Sequence, residues 1–324
     1  MKKFTGVLLA FVFVLSMFFP SIGGDNASAA TISSQGFKVS SPEVVKETVY
    51  EDLAVNKNGT TRSLSAKESR EIQNLVKKEY FKNQKKNTIY TKKGQFNSNN
   101  KGMTAKAKQP VNFVRVAHEI VYNGNKGTIT MSSRIDAMTG QKPVVIWTGA
   151  KLYRSYDQYG KYRLVDKFDT EWRGSELKVG KKASKTYNNK TTHFYQSHHK
   201  TTVGWNGVGT RTNEGVTEEV LVNKKTVPYP EITNLDNNTS MWVPTKANIP
   251  VVPVEKREKR KSGLANSYKK WYIKEYGDPK WDWTQLEIHH EKPLKYGGNN
   301  SMSNLFPLPK DFHRKQVTPW WASY

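Results

Sequence analysis

An α+β class is expected from this chain. It comprises an N-terminal signal peptide with a helical and linker segment, an antiparallel β-rich middle region, and a C-terminal unit of strand, loop, strand and helix. Three observations predict it. Short runs of β-branched and aromatic residues alternate with turn residues from Val111 to about Val243. Ser65-x-x-Glu68 is a capping box followed by apolar residues at helical spacing. The tail carries two short apolar runs around Gly297-Gly298, then a run without breakers from Lys310 to Gln316.

Residues 1–29 read as a secretory signal peptide. Lys2-Lys3 form its charged region, Val7 to Phe19 its apolar core and Ala27-Ser28-Ala29 its cleavage site. About 13 apolar residues fall short of the roughly 20 that cross a bilayer, and Pro20 with Gly23-Gly24 breaks the run. A secreted, extracellular chain with no stable membrane insertion is therefore expected.

Residues 30–109 read as an extended, helical and basic segment. Within it 30–64 looks extended and poorly ordered. A packing helix begins at Ser65, with Ile72, Leu75, Val76 and Tyr80 on one face, and 82–109 is a Lys/Asn/Gln/Gly-rich linker. In residues 110–245 the stretches Val114 to Tyr122, Gly127 to Ser133, Lys142 to Thr148, Lys151 to Tyr156, Tyr162 to Phe168, Thr191 to Gln196 and Glu218 to Val222 read as strands. They suggest a sandwich, a barrel or a curled sheet, with Trp147, Tyr153, Trp172, Tyr195 and Trp205 in its core. His118 reads as structural and His198-His199 as a surface pair. Residues 246–262 read as a linker containing the mixed, mostly basic run Glu255 to Lys261. Residues 263–324 form the terminal domain, opened by a helix carrying Leu264, Tyr268, Trp271, Tyr272 and Tyr276 and stopped by Gly277 and Pro279.

Composition narrows the chemistry. The chain has no cysteine, so disulfides and thiolate metal sites are excluded and any metal must be held by histidine and oxygen ligands. The net charge is +24, spread widely: residues 255–324, with 14 Lys/Arg against 8 Asp/Glu, carry +6, whereas residues 30–254 carry +17. Such an excess favours polyanions, whether nucleic acid, wall polymers or membrane surfaces.

The tail holds the candidate chemistry. Leu286-Glu287-Ile288-His289-His290-Glu291-Lys292-Pro293 reads as a strand ending by Pro293, Lys295 to Ser303 as a loop, Asn304 to Leu308 as the return strand, and Lys310 to Gln316 as a helix halted by Thr318-Pro319. Strand neighbours point to opposite sides, so His289 and His290 are expected to divide the labour: one holds a metal and the other faces an attacking water. His313 returns from the helix to complete the metal site, and two neutral imidazoles leave coordination positions open. A histidine near its ordinary pKa suits a general base, and Asn304 is a reasonable brace for it. Lys292, Lys295, Lys310, Arg314 and Lys315 surround the motif and suit phosphate contacts.

This order of pair, glycine turn, asparagine and histidine resembles the HNH (ββα-metal) nucleases, including colicin-type bacterial DNases and related His-His toxin families. The resemblance covers about 60 residues and implies a ββα-metal domain. It implies that His289 and His313 bind metal, that His290 is the general base, and that Asn304 orients that base and locks the loop. Glu287 matches an acidic residue of the colicin-like members. One position departs: Val317 stands where many colicin-like members place a further metal histidine. The implied activity is metal-dependent hydrolysis of DNA, or of RNA, leaving 3′-hydroxyl and 5′-phosphate ends. The cofactor is one divalent ion among Mg, Mn, Ni and Zn. The partners are nucleic acid and, by the layout of bacterial antagonistic toxins, a cognate immunity protein. The alternative is a non-enzymatic basic envelope protein with a degenerate terminal fold.

Overall fold

Two β-sheets of four principal strands each lie face to face at the centre of the computed structural model, which describes residues 31–32, 36–39, 44–55, 67, 74, 112–206 and 209–324. The signal peptide and the linker expected over 82–109 lie outside the described residues, as does nearly all of the helix expected from Ser65. Among the described residues no helix is long and apolar enough to cross a membrane.

The strands, in chain order, are β1 (Thr31–Ile32), β2 (Phe37–Val39), β3 (Val44–Val55), β4 (Asn112–Asn123), β5 (Thr128–Thr139), β6 (Val145–Ser155), β7 (Arg163–Arg173), β8 (Lys182–Asn188), β9 (His193–Trp205), β10 (Gly209–Val216), β11 (Val220–Val222), β12 (Ile232–Asn234), β13 (Thr239–Ser240), β14 (Leu286–His290) and β15 (Leu305–Pro309). One sheet runs β3-β4-β5-β8 and the other β10-β9-β6-β7, with β11 also on β9. The two stack strand over strand: β3 on β10, β4 on β9, β5 on β6 and β8 on β7. Alternate residues point inward, as the two-residue period of a strand requires. Val114, Val116, Ile135, Ile146, Trp172, Val203 and Trp205 fill one end of the interior. Ile120, Tyr122, Ile129, Met131, Leu152 and Tyr195 fill the other. Of the aromatics expected in the core, Trp147 is only half-buried.

Between these apolar ends lies a buried polar layer. His118 Nε2 is 2.9 Å from Glu51 Oε2 and 3.0 Å from Thr201 Oγ1, and its Nδ1 is 2.9 Å from Ser133 Oγ. His199 stacks on His118, with ring centroids 4.7 Å apart. His199 was expected on the surface; it is 2 % exposed, because β9 turns odd-numbered side chains inward and leaves His198 on the outer face.

The α+β class is corrected. The described residues are rich in strand, and only one helix among them, α1 (Leu264–Tyr276), exceeds five residues. Nor is a discrete ββα module shown. The β14–β15 hairpin, α1 and the chain end share one continuous core with Phe37, Tyr153, Phe194, Leu221, Tyr229 and Ile232, so the tail is packed into the β-rich body. After β15 the chain forms an interrupted helical segment: Lys310–Phe312, a π turn over His313–Val317, then Thr318–Ala322. Pro319 was expected to halt it and does not. A proline cannot donate to the preceding turn, and the wider π spacing just before it accommodates that loss. The segment is anchored by Trp320, whose Nε1 donates to Val227 O at 2.9 Å.

β8 and β10 escaped the strand signal because both are edge strands and carry mainly polar, exposed side chains. The stretch 246–262 is no free tether. Val252 N donates to Lys295 O, Arg257 Nε to Val252 O, and Ile249 N to the Tyr324 hydroxyl. This strap lies along the hairpin.

Candidate functional site

Strand periodicity builds the site. β14 pairs antiparallel with β15, with His289 opposite Phe306 and His290 opposite Leu305. Glu287 and His289, two residues apart, share one face of β14 and meet the helical segment. Leu286, Ile288 and His290 share the other.

On the first face His313 is gripped from both sides. Its Nδ1 lies 2.6 Å from Glu287 Oε2, and its Nε2 lies 3.1 Å from His289 Nδ1. The remaining nitrogen of His289, Nε2, is buried with no hydrogen-bond partner among the described residues, so the polar group this ring addresses is His313. Two imidazole nitrogens that ligate one ion at about 2.0–2.1 Å, with an angle of about 90–110°, stand about 2.8–3.4 Å apart. The observed separation therefore fits a shared ion. Glu287 behind His313 stands where an outer carboxylate would fix the ring of a ligating histidine. Among the described residues no three His, Cys, Asp or Glu side chains form a group able to hold a metal, so an ion here would take two protein ligands and complete its shell with water and phosphate.

Electrostatics keep the imidazoles of this hairpin neutral. Burial lowers His289 to about 3, with His313, His290 and Arg260 adding to the effect. Burial also lowers His290; its hydrogen bond to Asn300 and the Glu258 carboxylate oppose this, and Arg260 reinforces it. Burial resists ionisation of Glu287, but hydrogen bonds from Arg314 and His313 outweigh it and hold the carboxyl below its usual range. Beside the site, burial raises Glu291 to about 7, where its Oε1 accepts from Trp242 N at 2.7 Å and ties the hairpin to the preceding loop.

On the second face His290 meets the strap and the loop. Its Nε2 lies 3.0 Å from Asn300 Oδ1 and its Nδ1 3.4 Å from Arg260 Nη1. Arg260 is itself aimed by a 2.9 Å bond from Nη2 to Ile288 O. Asn304 instead bonds the loop: Oδ1 accepts from Lys292 N, and Nδ2 donates to Lys292 O and Asn299 O. Gly298 makes this loop possible, since a Cβ there would sit 1.7 Å from Lys292 O.

Of the expected phosphate contacts, Arg314 is engaged by Glu287 through Nε at 2.9 Å and through Nη2. Lys315 pairs with Asp311, and Lys295 Nζ lies over the Tyr296 ring. Lys292 and Lys310 are half-buried beside the hairpin. Sequence reasoning missed Arg260, Glu258 and Asn300. The first two sit in a mixed, mostly basic run in which no residue stands out, and Asn300 is one of two adjacent asparagines in the loop.

No protein-family model, no curated protein and no solved structure matches this chain.

Proposed function

We propose that this chain is a secreted, metal-dependent endonuclease acting on DNA, with the β14–β15 hairpin as its active site. The observation that carries the reading is the arrangement of three imidazoles about one short strand. Two face each other at 3.1 Å with a carboxylate behind one of them, and the third stands on the opposite face beside a guanidinium. His289 and His313 would hold a single divalent ion. When bound, such an ion supplies positive charge to the phosphate and its departing oxygen.

The remaining work falls to side chains of the chain itself. His290, neutral at neutral pH, takes the proton from the attacking water; a positioned base of this kind contributes about 10²–10⁴-fold. Arg260 presents a planar, permanently charged fork beside that base, suited to a phosphate oxygen. The water oxygen bonds to phosphorus as the bond to the 3′-oxygen breaks; that oxygen leaves as an alkoxide and takes a proton from solvent water, while His290 returns its own proton to solvent. Export rests on Lys2-Lys3, the apolar run and Ala27-Ser28-Ala29. A cognate immunity protein, acidic to match the basic chain, belongs to the same reading.

The test is nicking of supercoiled plasmid by residues 30–324 with Mg²⁺, Mn²⁺, Ni²⁺ or Zn²⁺, with and without EDTA. Nicking that EDTA stops and His290→Ala removes supports the reading. A protein that binds plasmid and never cuts it, with any of the four ions, is the non-enzymatic envelope protein instead.

A further inference from the structure

Asn300 joins the strap to the hairpin and is 5 % exposed. Its Nδ2 faces two acceptors, Glu258 Oε1 at 2.7 Å and Lys259 O at 2.8 Å. Its Oδ1 faces a backbone donor, Lys261 N, at 3.5 Å. Its own backbone N donates to Glu258 Oε2 at 3.3 Å. An amide turned the other way would set its oxygen against two acceptors and its NH₂ against an N–H. The orientation is therefore fixed by partners other than His290. The atom Asn300 offers to His290 Nε2 can only accept, so that nitrogen must carry the proton. The lone pair is left on Nδ1, the nitrogen that faces Arg260.

We infer that Glu258 and Asn300 are positioning residues that lock His290 in the Nε2–H tautomer, with Nδ1 as the atom that receives the proton from water; this rests on the reading of His290 as the base. Asn304 acts one step further out. By holding Asn299 O and Lys292 it fixes the loop that carries Asn300. The whole relay crosses from the strap to the hairpin, so residues 258–261 complete a site that residues 263–324 alone do not contain.

The experiment uses the intact chain and two readouts. Long-range ¹H–¹⁵N correlation of the His290 ring at neutral pH is expected to show the Nε2–H tautomer in the wild type and a tautomer mixture in Asn300→Ala. In plasmid cleavage Asn300→Ala is expected to lower kcat by about 10²-fold with little change in KM, the scale of a misplaced reacting group. Glu258→Ala, on the exposed strap, lowers kcat less, and Glu258→Gln, which keeps an acceptor toward Asn300, restores most of the loss. This pair keeps the test open should Asn300→Ala fail to fold. A wild-type His290 protonated on Nδ1, an unchanged kcat in Asn300→Ala, or equal losses in Glu258→Ala and Glu258→Gln would each overturn the inference. A wild type that never cuts would overturn the nuclease reading, while the tautomer measurement would still decide the relay.

Discussion

The molecule contains two histidine clusters of similar composition and opposite character. Each has consecutive histidines on a strand and a third histidine from another element: His198-His199 with His118 in the sandwich, and His289-His290 with His313 in the tail. In the sandwich one member of the pair points into a closed interior, where His118 is fully bonded to Glu51, Thr201 and Ser133 and His199 is stacked against it. In the tail the strand belongs to a two-stranded hairpin. One face meets the helical segment and the other meets the strap, so both members of the pair gain distinct polar partners. The lesson is that the partners of a histidine pair are set by what covers each face of its strand. A sandwich strand spends one face on the core, whereas a hairpin strand has both faces to use.

Four outcomes would break or sharpen this contrast. The largest effect is expected from His290→Ala, with cleavage falling about 10²–10⁴-fold. Metal affinity and the circular dichroism spectrum should stay unchanged, and equal loss of metal binding would reject the division of labour between the two faces. Next comes His118→Ala, which strands the buried Glu51 carboxylate. A cost of about 3–5 kcal/mol in urea unfolding is expected, with cleavage per folded molecule retained. Loss of cleavage without loss of stability would place chemistry in the sandwich.

A smaller effect is the pH dependence of stability. Burial holds His199 well below 6.5, aided by His118 and His198, and burial with Lys151 takes His198 to about 4. Such groups bind fewer protons folded than unfolded, so stability is full above about pH 6.5 and falls as pH drops below it. The urea midpoint should therefore decline from pH 7 to pH 5, and His199→Leu should flatten that decline; an unchanged slope would remove His199 from the explanation. The smallest effect belongs to Lys315→Ala. It breaks an exposed pair with Asp311 and should shift stability by about 0.5 kcal/mol or less. It should also reduce the salt dependence of DNA binding only slightly, and a steep loss would make Lys315 a principal phosphate contact.

Legibility followed the range of each interaction. His289, His290 and His313 lie within 25 residues of one another, and the strand period alone separates the pair, so their division between two faces was readable. Arg260, Glu258 and Asn300 were not. The bonds that Arg260 and Glu258 make to the hairpin and its loop span 28 to 42 positions, and nothing local marks a strap that doubles back onto a strand; Asn300 lies only 10 positions from His290 but is held in place by that strap. In the body, β4 and β5 carry alternating apolar residues and were legible. β3 lay within a segment that reads as poorly ordered, and β8 and β10 hide their strand character under polar side chains. The α+β class failed although the helix over Leu264–Tyr276 formed: thirteen described strands precede it, and the run after Pro309 became an interrupted helical segment packed into the β-rich body. A surface position for His199 failed for a related reason: consecutive polar residues look exposed until an opposing sheet supplies a polar layer to receive one of them.

Calorimetric titration of the intact chain with Zn²⁺ or Ni²⁺, set beside the His289→Ala/His313→Ala and His118→Ala/His199→Ala double variants, addresses the difference between the two clusters directly. One ion per chain is expected in the wild type and in the folded sandwich variant, and none in the hairpin variant. Binding that survives loss of His289 and His313, or that disappears with His118 and His199, would contradict the assignment of the metal, and with it the chemistry, to the tail.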